Sequence, residues 1–154
     1  MFVNSDSNFS CKIRNDMKKH STNYYNTLIT IAEDCKAVKG EIPPVRTDKL
    51  TVANLQFDRL IKHPDKINSD DLIFDIFAER NEILENDLVQ EKQKFFSKGQ
   101  PCLRASPLAK TYGWGISYDS DGKIRLIDSS SEEYEKMLQN DKIKKVPAMR
   151  SSKK

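Results

Sequence analysis

Residues 111–128, TYGWGISYDSDGKIRLID, contain the strongest indication of the fold. The alternating segments TYGWGISY and KIRLID flank an Asp-Ser-Asp-Gly sequence at residues 119–122, and this arrangement predicts a β-hairpin. Successive residues of a strand point to opposite faces of its sheet. One face of the first strand is largely aromatic and consists of Tyr112, Trp114, Ile116 and Tyr118. The opposite face is nearly bare backbone at Gly113 and Gly115.

Two glycines within one strand indicate that something approaches the backbone closely. One interpretation is that a helix of the same domain packs on the glycine face while the aromatic face fills the core. The other is that a ligand lies on the glycine face. The sequence leaves both interpretations open.

Helical patterns lie before and after this hairpin. A helix is predicted over Val52–Lys62, capped by Thr51, with a stripe of Ala53, Phe57, Leu60 and Ile61. The other predicted helices begin at Ser69, extend over about 84–98, and follow a capping box of Ser130 and Glu133. Further strands are predicted over 26–32 and, as a short edge strand, within 142–149.

Helices that are not regularly interleaved with strands favour an α+β fold. We expect a small, mostly antiparallel sheet of about three to four strands, including a hairpin near 112–128, packed against about four helices. The expected single compact domain covers residues 17–150. Residues 1–16 are predicted to be a disordered extension, and residues 151–154 a disordered basic tail.

The composition excludes several classes of protein. The 154 residues contain no apolar run that could span a bilayer, and the N-terminus lacks the apolar core of a secretory signal. We therefore expect a soluble cytoplasmic protein with no membrane partner. The three cysteines and two histidines are isolated in sequence, so we expect neither a metal site nor a cofactor.

The net charge of +3 conceals a strong segregation of charge. Residues 65–91 have nine acidic and two basic side chains, whereas residues 92–118 have five basic side chains and no acidic one. The segment from residue 141 onward has six basic residues and one acidic residue. The acidic segment and the absence of a nucleic-acid-binding motif argue against a nucleic-acid partner, and homo-oligomers remain open.

The segment at residues 98–115 is the candidate functional site. It holds three of the five glycines, two of the six prolines and the single tryptophan. Its basic residues, with Ser106, could hold an anion through bidentate and hydroxyl hydrogen bonds. The candidate ligand-binding residues are Lys98, Cys102, Arg104, Ser106, Lys110, Gly113, Trp114 and Gly115.

No catalytic motif is recognisable in this segment. Cys102 follows a predicted helix C-terminus, which disfavours a thiolate, and neither histidine is near it in sequence. Arg104 could pair with the acidic second or third helix instead of a ligand. GWG alone matches no phosphate-binding loop.

Several strings resemble a family of small, mostly bacterial proteins classified as a domain of unknown function. They are TNYYNT, EIPP, TVANLQF, SDDLIFDIFAERN, FFSKGQPCLRASPL and YGWGI, and the resemblance covers roughly residues 17–150. It implies a single soluble domain and brings no activity, cofactor or assigned site.

Three classes of function stay open at this point. The preferred hypothesis is a non-catalytic module that binds a small anionic ligand at residues 98–115, because the loop offers cations but no acid/base pair. The first alternative is an enzyme that uses Cys102 or Arg104 on a small molecule. The second is a protein-interaction or oligomerisation domain.

Overall fold

The computed structural model describes residues 20–46 and 48–151. Tertiary contacts divide the chain into two compact units. Of the described residues, the smaller unit contains 20–21 and 84–100, and the larger contains the rest. The predicted extension at residues 1–16, the predicted domain start at residue 17 and all but the first residue of the basic tail lie outside the described residues. The predicted domain boundaries therefore stay a prediction.

The order of the elements agrees with the α+β prediction. Short 3-10 helices, Glu85–Asp87 and Leu103–Ala105, precede the third and fourth α-helices. No helix among the described residues has the length and apolar character needed to cross a membrane. In chain order, the elements are β1 (Thr27–Thr30), α1 (Val52–Lys62), α2 (Ser69–Arg80), α3 (Leu88–Phe96), α4 (Pro107–Lys110), β2 (Trp114–Tyr118), β3 (Ile124–Asp128), α5 (Glu132–Leu138) and β4 (Lys144–Pro147).

The four strands form one mixed sheet in the order β3-β2-β1-β4. The predicted hairpin is present, since β2 and β3 pair in antiparallel register with Ile116 opposite Leu126. The β1 strand is antiparallel to β2 and parallel to β4. The predicted edge strand is β4, and the expectation of a mostly antiparallel sheet within an α+β fold is confirmed.

The sheet separates two hydrophobic clusters. The larger cluster contains Ile29 of β1 and Ile116 of β2 together with apolar residues of α1, α2 and α4. The smaller cluster, on the opposite side, contains Leu28, Ile127 and Tyr134, which come from β1, β3 and α5. Burying one such aliphatic side chain contributes about 1.5–3 kcal/mol, so both faces of the sheet stabilise the fold.

Helix α1 begins where the sequence predicts it. Thr51 accepts a hydrogen bond from Asn54 N, and the Asn54 side chain in turn accepts from Thr51 N, which completes a capping box. The predicted apolar stripe is wrong at Ile61, whose side chain is 48% exposed. Leu55 is buried instead. The buried face of α1 therefore includes Leu55 and excludes Ile61, whereas Ala53 and Leu60 are buried as predicted.

The predicted capping box of α5 is wrong by one residue. The N-cap is Ser131, whose side chain accepts a hydrogen bond from Tyr134 N. Ser130 donates through both its backbone N and its Oγ to Asp128 Oδ1, at 2.8 Å each, and so belongs to the preceding turn. The third predicted helix is also shorter than expected, because a 3-10 turn replaces its start and α3 ends at Phe96.

Candidate functional site

The glycine face of β2 lies against a helix of the same chain. A Cβ atom at Gly115 would lie 2.7 Å from Tyr134 Cε1 of α5 and 3.3 Å from Leu28 Cδ1. The Tyr134 hydroxyl accepts a hydrogen bond of 3.1 Å from Ile31 N, which fixes the ring over β1 and β2. Of the two interpretations left open by the sequence, the structure agrees with the packed helix at Gly115.

Gly113 and Trp114 pack against the segment at residues 39–41. Gly113 has a positive φ of 78°, and a Cβ atom there would collide with the carbonyl oxygen of Lys39. The Trp114 ring would obstruct any side chain at Gly40, and its Nε1 donates a hydrogen bond of 2.9 Å to Glu41 O. Both candidate residues therefore contact this segment.

Ser106 is buried and its hydroxyl is engaged twice. It donates to Gln56 Oε1 at 2.6 Å and accepts from Leu108 N at 3.1 Å, as the N-cap of α4. A hydroxyl that caps a helix and satisfies a buried amide stabilises the fold by about 1 kcal/mol. Its contacts tie α4 to α1.

Cys102 lies beside a tyrosine that is 78 residues away in sequence. The Tyr24 hydroxyl is 3.3 Å from Cys102 Sγ, and both side chains are half-buried. Burial, followed by the hydrogen bond and the electrostatic effect of Cys102, raises the pKa of Tyr24 to about 12, against the opposite effect of the Arg104 charge. A phenol with this pKa stays protonated at neutral pH and cannot act there as the base of a nucleophilic cysteine.

A buried polar network continues from this pair. The Tyr24 ring meets the Tyr118 ring edge to face with centroids 5.3 Å apart, and Tyr118 donates to Ser69 Oγ at 3.4 Å. The Thr22 hydroxyl is 2.9 Å from Ser69 Oγ and 2.7 Å from Asp70 Oδ1. Burial raises the pKa of Tyr118 well above its usual value, so this phenol is also a donor. The network connects the segment that precedes β1 with β2, α2 and the segment around Cys102.

Sequence reasoning did not place Thr22, Tyr24 or Ser69 in the site. A usable signal was present, because the strings that carry the family resemblance supply Tyr24, Ser69 and Cys102, and these residues meet in the fold. Asp70, an acidic residue in the first turn of α2, also accepts a hydrogen bond of 2.7 Å from Thr22 N.

Arg104 holds the segment that follows the edge strand. Its Nε donates to Pro147 O at 2.7 Å, and its own carbonyl accepts from Met149 N at 2.8 Å. Within the described part of the larger unit, no carboxylate lies within ion-pair distance of Arg104, so the alternative pairing with α2 is not formed. Pro147 lacks an N–H, and Arg104 satisfies its carbonyl, so the β4 edge is partly closed to another strand.

Lys110 borders a half-open cavity of about 350 Å³. The lining also includes Lys36 and Thr111, together with Asp34 and Ser151. Ser151 N donates to Asp34 Oδ2 at 3.0 Å and to Oδ1 at 3.2 Å, so the segment that Arg104 holds also forms part of the cavity wall. This volume fits a small metabolite.

The structure thus divides the candidate residues. Arg104 and Cys102 lie near Tyr24, Lys110 lines the cavity, and Lys98 is an exposed residue of the smaller unit. Among the described residues, no group of three or more histidine, cysteine or acidic side chains could hold a metal ion.

Fold and site together define an α+β protein with a four-stranded mixed sheet and a polar cluster beside the segment at residues 101–111. The chain belongs to DUF6157, a family of unknown function, whose family model matches residues 19–154. No curated protein and no solved structure matches the chain significantly. The resemblance to a family of unknown function is confirmed, and membership brings no activity with it.

Proposed function

We propose that this protein is a non-catalytic module that binds a small anionic ligand in the cavity beside Lys110. The observation that carries the proposal is a concave space of about 350 Å³ whose lining residues include two lysines, Lys36 and Lys110, together with Thr111. Ligand sites combine a cavity of this size with a few polar groups that orient the ligand. Lys110 and Thr111 belong to the segment that the sequence singles out.

The charge balance of the cavity favours an anion. Its lining contains two cationic side chains and one carboxylate, Asp34, which already accepts two hydrogen bonds from Ser151 N. The net charge of the lining is therefore +1. Ammonium groups bind phosphate and carboxylate as point charges, and a hydroxyl adds a directed hydrogen bond.

The surroundings of Cys102 support a role without catalysis. The Tyr24 hydroxyl contacts its thiol, and the pKa of about 12 makes this phenol a proton donor and not a base at neutral pH. An enzyme that used Cys102 would need another base close to the thiol. The cytoplasmic location expected from the sequence stays a prediction.

The proposal is tested with three probes of defined chemistry: inorganic phosphate, acetate and citrate. Each is titrated at constant ionic strength into isotopically labelled protein, and amide NMR shifts are followed. We expect the largest shifts at Lys36, Lys110 and Thr111, and Lys110→Met should weaken binding because it removes the charge and retains the stem.

The matched control is Lys66→Met, which removes an exposed lysine between α1 and α2. It should bind the anions as the unmodified protein does. Shifts that are absent for all three anions, or equal weakening by both substitutions, would contradict the proposed site.

A further inference from the structure

The chain after β4 follows a fixed course along the larger unit. Ala148 N donates a hydrogen bond of 2.9 Å to Thr30 O, and the Ala148 side chain is buried in the larger hydrophobic cluster. Met149 N donates to Arg104 O at 2.8 Å. Because β1 and the 3-10 helix at residues 103–105 each hold one backbone group, the fold sets the direction of the chain here.

The next two residues bring the chain to the cavity beside Lys110. Arg150 Nη1 lies 3.8 Å from Glu33 Oε1, on the segment that follows β1. Ser151 N donates to both carboxylate oxygens of Asp34, at 3.0 and 3.2 Å. Ser151 is itself part of the cavity lining. The residues that come after Ser151 therefore start from the cavity wall.

Two of these following residues are lysines. The sequence continues with Ser152, Lys153 and Lys154. Three residues extend a chain by up to about 10 Å, and a sphere with the cavity volume of about 350 Å³ is about 9 Å across. The chain is therefore long enough for both lysines to reach a ligand in the cavity. A lysine also has its charge at the end of a long, flexible stem.

The charges indicate which kind of ligand both groups of lysines would hold. Lys36, Lys110 and Asp34 give the cavity lining a net charge of +1. Lys153 and Lys154 add two positive charges, and like charges at short distance repel each other. An anion with one charge neutralises the lining and leaves the added lysines without a counter-charge. An anion with two or more charged groups offers one group to the lining and another to the added lysines.

We propose that the cavity takes a small anion with at least two charged groups, such as pyrophosphate or a tricarboxylate, and that Lys153 and Lys154 bind the group that the lining leaves exposed. This inference rests on the proposed function, because the anion must occupy the cavity beside Lys110. Ammonium groups bind phosphate and carboxylate alike as point charges, so the lysine pair selects for the number of charged groups and not for their type.

The test compares two double variants of equal net charge. Lys153→Met/Lys154→Met removes the proposed pair, whereas Lys142→Met/Lys144→Met removes two exposed lysines that are not part of the cavity lining. Calorimetric titration should show that the first variant binds pyrophosphate and citrate about threefold to thirtyfold more weakly than the second, the effect of losing two exposed ion pairs. Acetate, which has one charged group, should bind both variants equally.

The outcomes separate this inference from the proposed function. If Lys110→Met weakened pyrophosphate binding while the two double variants bound it equally, the lysine pair would have no role and the anion cavity would stand. An equal loss of acetate and pyrophosphate affinity in Lys153→Met/Lys154→Met would also overturn the inference, because the pair would then not depend on a second charged group. Normal pyrophosphate binding by Lys110→Met would contradict the cavity, and the inference with it.

Discussion

The ring of Tyr134 occupies the volume that a side chain at Gly115 would fill. A Cβ atom at that position would lie 2.7 Å from Tyr134 Cε1, closer than side-chain atoms pack. Tyr134 is also restrained by the hydrogen bond from Ile31 N to its hydroxyl, so the ring cannot move away without losing a buried contact. The absence of a side chain at Gly115 is thus required by the packing of α5 on the sheet.

Gly115→Ala should consequently destabilise the free protein. Overpacking of a filled core costs about 1–3 kcal/mol, which lowers the Tm of a domain of this size by roughly 3–10 °C. Thermal unfolding followed by circular dichroism measures the change. Gly99→Ala is the control, because an added Cβ atom there has no neighbour within 4 Å. Equal melting temperatures for the two variants would show that α5 does not pack on Gly115 as described.

Stability should fall in acid partly through Asp128. Burial acts to raise the pKa of this carboxyl, but hydrogen bonds from Gly40 N and from Ser130 N and Oγ, with the nearby Lys39 charge, lower it below 3.8. A depressed folded-state pKa contributes stability that is present above 3.8 and is lost as the pH falls through the lower folded value.

Asp128→Asn should therefore be less stable than the unmodified protein at neutral pH, and the difference should shrink below pH 3.8. Urea unfolding at a series of pH values measures both effects. Asp121→Asn, at an exposed position in the hairpin turn, provides the control. If the difference in unfolding free energy between Asp128→Asn and the unmodified protein stayed constant with pH, the charge of the Asp128 carboxylate would not be what stabilises the fold.

The extent to which sequence determines these features differs along the chain. The hairpin and α1 were predictable because strand alternation and the pairing of Thr51 with Asn54 are local. The N-cap of α5 was not, because residues 129–131 are three consecutive serines. The choice among them depends on which one binds the side-chain carboxylate of Asp128 and which one is left to cap the helix. A local sequence pattern does not contain the information needed to choose between neighbouring serines as the N-cap.

The candidate site likewise depends on contacts that local sequence patterns do not predict, here between residues far apart in the chain. Cys102 and Tyr24 are brought together by the pairing of β1 with β2 and by the 3-10 turn after Cys102, and no spacing in the sequence encodes that contact. The cavity beside Lys110 is likewise lined by Lys36 and Ser151, which lie outside the candidate segment at residues 98–115.

Cys102 should react slowly with thiol reagents. Its Sγ is half-buried beside the protonated Tyr24 hydroxyl, and no activating base is provided by that contact. Alkylation at neutral pH, followed by peptide mass spectrometry, should label Cys102 no faster than Cys35, which is also half-buried. Tyr24→Phe should change the rate by less than about tenfold, the effect of one hydrogen bond. Rapid and selective labelling of Cys102 would instead favour the enzymatic alternative.

Arg104 should affect anion binding without contacting the anion. It does not line the cavity, but its hydrogen bonds with Pro147 and Met149 position the segment that ends at Ser151 in the cavity wall. Arg104→Ala removes the bond to Pro147 O, and we expect a loss of about 0.5–1.5 kcal/mol in stability and weaker binding of inorganic phosphate. Arg104→Lys should recover part of both losses, since an ammonium group can still donate to that carbonyl.

The control variant is Arg46→Ala, which removes an exposed arginine elsewhere and should change neither the stability nor the phosphate affinity. The readouts are urea unfolding and phosphate titration by NMR. If Arg104→Ala retained full phosphate affinity while Lys110→Met lost it, the C-terminal segment would have no part in shaping the cavity. If Arg104→Ala abolished binding and Lys110→Met did not, the anion would instead bind at Arg104.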